Sequence, residues 1–297
     1  MKIFYCDTFV LPLPEGHRFP MEKYRLLRER VAAEGLGTLT LPQAAGDAAL
    51  LRVHDAEYVH RVTSGTLARE EIRRIGFPWS PGLVERSRRS VGGTIGAARA
   101  ALDTGAAANL AGGTHHAFAD RGEGFCVFND VAVAIRALQA TERIRRAAVL
   151  DLDVHQGNGT AALFRDDAQV FTASVHGDRN FPFRKEPGDF DLALPDGADD
   201  ALFLAAVSEA LHAVVERGRP DVVFYVAGAD AFAGDRLGRL GVSRDGLAER
   251  DALVTRTVHR HGLPLVVVMG GGYAHDVLDT VEIHLHSVRA ASRLASA

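Results

Sequence analysis

Cysteine is nearly absent: Cys6 and Cys126 are the only two in 297 residues. So few exclude a disulfide framework and fit reduced thiols in a cytoplasm. No apolar run approaches the ~18 residues that a membrane-spanning helix needs. The chain opens directly into Lys2-Ile3-Phe4-Tyr5, a first strand without the layout of a signal peptide. A cytoplasmic protein with no membrane partner is expected. An excess of positive charge is also missing. The formal net charge is −4, against the basic face that nucleic-acid binding requires. No repeat, linker or block of like charge divides the chain, and one domain over residues 1–297 is expected.

What is present is an alternation of apolar runs and helical patterns. Strands are expected at 2–5, 109–111, 147–152, 170–174, 222–226 and 265–269. Helices are expected at about 21–33, 47–64, 81–102, 130–141, 159–164, 200–217, 243–261 and 274–292. Ser80 caps the long third helix, with Pro81 at its first position. Gly92, Gly93 and Gly96 on that helix imply close packing. The strands are continuous apolar runs rather than alternating ones, which predicts a parallel sheet with helices on both faces. Residues 176–200 show little periodic structure, and a loop that long usually serves a site.

The run Asp151-Leu152-Asp153-Val154-His155-Gln156-Gly157-Asn158-Gly159 follows the apolar stretch 147–150. In an extended backbone the side chains at 151, 153 and 155 leave on one side. Other expected strands end in His115-His116, in Asp230, and in Gly270-Gly271-Gly272-Tyr273. Taken singly, Asp230 reads as a turn residue and the histidine pair as loop residues. Four polar strand ends on one side of a parallel sheet instead mark a functional crevice.

Asp153, His155 and Asp230 can supply three nitrogen or oxygen ligands and leave a position open, the pattern of a catalytic metal. Zn²⁺, Fe²⁺, Co²⁺ and Mn²⁺ suit such ligands, zinc foremost. His115 and His116 suit general acid–base work, with Asp151 and Asn158 available to orient them. Tyr273, after three glycines, can donate its phenol to a developing oxyanion. These parts predict metal-assisted hydrolysis of an amide or ester.

Together the motifs resemble the zinc-dependent histone deacetylase family. Gly112-Gly113-Thr114-His115-His116-Ala117, Gly124-Phe125-Cys126-Val127-Phe128-Asn129-Asp130, the 151–159 run and Ala227-Gly228-Ala229-Asp230 stand in the family order. Phe77-Pro78-Trp79-Ser80-Pro81 and Asn180-Phe181-Pro182-Phe183-Arg184 are similar to the class IV-like branch and its bacterial amidohydrolase relatives.

The resemblance implies an arginase/deacetylase-like fold, a single α/β domain around about eight parallel strands. It implies one zinc on Asp153, His155 and Asp230. It pairs His115 with Asp151, and His116, the base and proton shuttle, with Asn158. It sets Tyr273 on the scissile carbonyl, makes Phe125 and Phe181 the channel walls, and puts Gly124 and Gly271 beside the substrate. It implies a potassium ion on oxygens of Asp151, Asp153, His155, Ser174 and Val175, partly through backbone carbonyls.

Two positions depart from the pattern. Asn158 stands where class I members carry an aspartate, which leaves His116 without a charged partner. Gly76 stands where classical eukaryotic members carry an acid that anchors the substrate backbone. The expected activity is removal of an acyl group from an amine, with acyl-lysine in a protein as substrate. An acylated polyamine or another small amide is the alternative. An arginase-type hydrolase with two manganese ions and a non-catalytic acyl-binding module are the other readings weighed.

Overall fold

The computed structural model describes residues 1–295. The strands are β1 (Lys2–Phe4), β2 (Thr38–Thr40), β3 (Ala106–Asn109), β4 (Ala147–Asp151), β5 (Val170–Gly177), β6 (Phe190–Leu194), β7 (Val222–Ala227) and β8 (Leu265–Met269). The helices are α1 (Glu22–Ala33), α2 (Asp47–Leu50), α3 (Ala56–Ser64), α4 (Arg69–Ile75), α5 (Pro81–Thr104), α6 (Asp130–Gln139), α7 (Asn158–Phe164), α8 (Asp200–Ala213), α9 (Arg244–Arg260) and α10 (Val277–Leu294). A π-helical turn, Val214–Gly218, extends α8.

All eight strands form one sheet in the order β2-β1-β3-β8-β7-β4-β5-β6, and every pairing is parallel. The alternation of side chains along each strand divides the interior in two. Val149, Phe224, Val266 and Val268 pack on one face with α5 and α6, among them Leu83, Val91 and Ile135. Leu150, Tyr225 and Val267 pack on the other with α1, α8, α9 and α10, through Leu27, Phe203, Val254 and Leu285. Each such side chain, fully buried, stabilises the fold by about 1.5–3 kcal/mol. This explains the unbroken apolar runs of the central strands, which have no solvent face.

The start of α5 is built as its sequence predicts: the Ser80 hydroxyl accepts the Leu83 N–H at 3.1 Å and Pro81 follows. A Cβ at Gly93 would meet the Asn109 amide, and one at Gly96 the Phe4 ring. Those glycines let the helix lie close on β1 and β3.

Four expectations need correction. The strand near residue 109 is Ala106–Asn109 rather than 109–111; its three alanines are too small to read as an apolar run, yet all are fully buried, Ala107 on the α5 face and Ala106 and Ala108 on the opposite face. The 47–64 stretch is two short helices, α2 and α3, separated by a turn at His54. The 176–200 excursion contains β6, an edge strand whose successive residues from Phe190 to Ala193 alternate between partly covered and exposed. The short strand β2 and helix α4 carry too few apolar residues to be visible in the pattern. Among the described residues no helix is long and apolar enough to cross a membrane.

Candidate active site

The four polar strand ends belong to β3, β8, β7 and β4, which are neighbours in the sheet. Because all run parallel, their carboxyl ends lie along one edge, and the loops beyond them converge there.

His155 Nδ1 lies 3.0 Å from Asp153 Oδ1 and 3.1 Å from Asp230 Oδ2. One ligand atom from each of the three residues falls within 4.8 Å of the others. Backbone donors fix the carboxylates: Val154 N–H to Asp230 Oδ1 at 2.9 Å and Gly271 N–H to Asp153 Oδ2 at 2.5 Å. A Cβ at Gly271 would overlap the Asp230 carboxylate, so only glycine fits beside it. Two carboxylates and an imidazole, buried and aimed at one point, fit a divalent cation with a mixed oxygen and nitrogen donor set.

The charges confirm the crowding. Burial raises the Asp230 carboxyl to about 7, with the neighbouring Asp153 charge adding to it. Burial opposes a charge on His155, but its hydrogen bonds to Asp153 and Asp230 overcome this and raise it to about 10.

His115 and His116 follow β3 in a loop tied down by Asp130, whose carboxylate accepts from Gly113 N, Thr114 N, Thr114 Oγ1 and Thr94 Oγ1. His115 Nδ1 is 2.6 Å from Asp151 Oδ2. Burial works against its charge, but the Asp151 carboxylate prevails and raises it to about 9. His116 Nδ1 is 2.7 Å from Asn158 Oδ1. Its own burial, then the charges on His115 and His155, hold it well below the usual imidazole range. The two rings lie 4.1 Å apart between centroids.

Behind Asn158 stands a residue the sequence did not single out. Asn158 Nδ2 donates to Glu123 Oε1 at 2.6 Å. A carboxylate therefore sits two hydrogen bonds from His116, at Glu123 rather than at position 158. Nothing in the motif marks it except its place beside Gly124. Two further residues were equally silent in the sequence. Asp235 accepts the Tyr273 N–H at 2.6 Å and so positions that residue. Lys23, on α1, is buried beneath Tyr273, with Nζ 3.3 Å from the Gly272 carbonyl and 5.2 Å from the Tyr273 ring centroid. Burial lowers its ammonium to about 8, against the pull of Asp230 and Asp153.

Phe125 and Phe181 both line a cavity of about 970 Å³ that reaches His116, His155 and Tyr273 from the surface. The Phe181 ring stands edge-on to His116, with centroids 4.9 Å apart. Phe125 has φ +66°, a conformation that costs a non-glycine residue about 1–3 kcal/mol. Its N–H donates to the Ile75 carbonyl at 2.7 Å, which helps hold it there.

The Gly124 carbonyl, expected beside the substrate, accepts the Cys126 thiol at 3.4 Å and keeps a second lone pair. Gly271 uses its N–H on Asp153 and its carbonyl on the Ala229 N–H; what it offers a ligand is the close backbone along an inner cavity of about 50 Å³. Asp151 and Ser174 are register partners on β4 and β5, with Val175 fully buried beside them.

The histone deacetylase domain model matches residues 17–288. The histone deacetylase-like amidohydrolase of Pseudomonas aeruginosa is 36% identical over 283 residues, covering 89% of this chain and 74% of its own length. Histone deacetylase 2 of Arabidopsis thaliana is 33% identical over 302 residues, with coverages of 95% and 78%. The crystal structure of an HDAC homolog from Aquifex aeolicus superposes with a TM-score of 0.83 at 25% identity, over 99% of this chain and 84% of that one. The parallel sheet is thus the arginase/deacetylase-like fold expected from the motifs, and the chain belongs to the histone deacetylase family.

Proposed function

We propose that the chain is a zinc-dependent amide hydrolase that removes an acetyl or other small acyl group from an amine nitrogen, with acyl-lysine as the substrate. The observation that carries this reading is the convergence of Asp153, His155 and Asp230 within 4.8 Å, at the base of a cavity that His116 and Tyr273 also line. Held by those three residues, zinc would supply Lewis acidity toward a water molecule and the substrate carbonyl.

The chain's own groups would do the rest. His116, neutral because burial and two neighbouring imidazoles hold its pKa down, accepts the proton of the attacking water. It then returns a proton to the leaving nitrogen. Asp151 keeps His115 oriented and charged beside it. Tyr273 donates its hydroxyl to the carbonyl oxygen as negative charge develops there. Phe125 and Phe181 enclose the stem of the substrate and keep bulk water away. We further propose that potassium binds at Asp151, Asp153, His155, Ser174 and Val175, a reading supported by the pairing of Asp151 with Ser174 across adjacent strands.

A small-molecule amide is the second reading, favoured by Gly76, which offers no acid to grip a peptide backbone. Replacing Tyr273 by Phe tests the assignment common to both. Turnover should fall about a hundredfold or more, the scale of one oxyanion donor. Near-normal acetate release from the same substrate would remove Tyr273 from the reaction.

A further inference from the structure

Six arginines line the mouth of the 970 Å³ cavity: Arg18, Arg73, Arg74, Arg179, Arg236 and Arg239. They come from four separate stretches of chain, before α1, within α4, after β5 and after β7, so no single charged run explains them. All six are exposed. The lining has one carboxylate, Glu123, and that group is turned inward onto Asn158.

Few acids compensate this ring. Arg73 meets Glu70 at 3.4 Å, while Arg179 and Arg239 share Asp196 at 3.9 and 3.3 Å. Arg236 donates instead to backbone carbonyls, Tyr273 O at 2.9 Å and Arg18 O at 3.5 Å. Among the described residues, neither Arg18 nor Arg74 forms an ion pair through its side chain. The whole chain carries a net charge of −4, so this positive mouth runs against its background.

We propose that the mouth recognises negative charge, and that the substrate is an acylated amine whose amine portion carries carboxylate or phosphate groups. This inference rests on the hydrolase reading above. The inner cavity holds only about 50 Å³, room for a small acyl group, so the rest of the substrate occupies the mouth. Guanidinium groups there can take carboxylate or phosphate oxygens two at a time, and several of one sign around a cleft focus the field on an incoming anion. Lysine-rich tails and polyamines would meet the same groups with like charge. Gly76, at the same mouth, adds no acid to offset them.

Three acetyl-lysine peptides of equal length, flanked by glutamate, by lysine or by uncharged residues, test this on the zinc-loaded protein. Acetylspermidine and an N-acetylated aminoalkyl phosphate serve as small cationic and anionic probes. Affinity is read by calorimetry on the Tyr273→Phe protein and turnover by acetate release from the wild type. The glutamate-flanked peptide or the phosphate should bind about tenfold or more tighter than its cationic counterpart, with the gap narrowing as salt rises. In an Arg18→Gln/Arg74→Gln/Arg239→Gln variant the preference should vanish while turnover of the uncharged peptide persists. Equal binding of anionic and cationic probes, or a preference for the cationic ones, overturns the inference. Charge-selective binding without acetate release from any peptide would leave the anion-recognising mouth standing and remove the hydrolase reading, and with it the assignment of the anion as a substrate. Turnover without charge preference would do the reverse.

Discussion

Glu123 decides which way Asn158 points. A carboxylate can only accept, so the Asn158 Nδ2 must face Glu123 and its Oδ1 must face His116. The oxygen in turn requires a proton on His116 Nδ1, which leaves the lone pair on Nε2, as a base needs. Glu123→Ala removes the constraint and frees the amide to turn over, favouring the wrong tautomer. With an uncharged acyl-lysine substrate, kcat should drop roughly 10–100-fold, and Glu123→Gln, which can still accept, should lose less. Wild-type turnover in Glu123→Ala would show that the amide needs no such orientation.

His115, His116, Asp153, His155, Asp230 and Tyr273 were legible in the sequence because hydrolytic chemistry needs those residue types at strand ends. Glu123, Asp235 and Lys23 were not. Each is an ordinary surface-type side chain that only the fold brings to the site, and no spacing reports on it.

Short elements hold the site's approach, and they are where sequence reading was weakest. The turn between α4 and α5 includes Gly76 at φ +84°, where a Cβ would press on the Phe125 ring. Its carbonyl also lies 3.0 Å from His17 Nε2. An acid at this position would therefore be strained by shape as well as being absent from the sequence. Gly76→Asp should destabilise the protein by about 1–3 kcal/mol, read as a lowered urea midpoint; an unchanged midpoint would show that the loop can yield.

The turn between α2 and α3 carries His54, which was visible only as part of a helical pattern. Its Nε2 accepts the Asn129 N–H at 3.0 Å and its Nδ1 lies 2.9 Å from the Phe118 carbonyl. The ring is thus neutral with its proton on Nδ1, and it ties the loop after His116 to the start of α6. Burial lowers its pKa from 6.5 to about 4, against bonds to the Phe118 and Ala119 backbone. The unfolded chain therefore binds the extra proton first as pH falls. Full stability is present above pH 6.5, and about 3 kcal/mol is lost progressively toward pH 4. Nuclear magnetic resonance of the His54 ring should show no titration above about pH 5; a midpoint near 6.5 would contradict the buried neutral ring.

At the scale of the whole molecule, one parallel sheet explains both what the sequence revealed and what it hid. The central strands β4, β7 and β8 are buried on both faces and read as plain apolar runs. The outer strands β2 and β6, and the alanine-built β3, depend on tertiary cover for their structure and leave little local signal. The order of strands places the carboxyl ends of β3, β8, β7 and β4 side by side. Residues more than a hundred positions apart thereby meet, as Asp153 and the Gly271 N–H do.

The proposed activity requires a hydrolytic site built around a single metal ion. The most direct test is a titration of metal-free protein with zinc, followed by acetate release from an uncharged acetyl-lysine peptide. Activity should rise linearly and stop at about one equivalent per chain, the number that one set of three protein ligands holds. Turnover that appears only with two manganese ions per chain, or that never appears at any zinc loading, would contradict it.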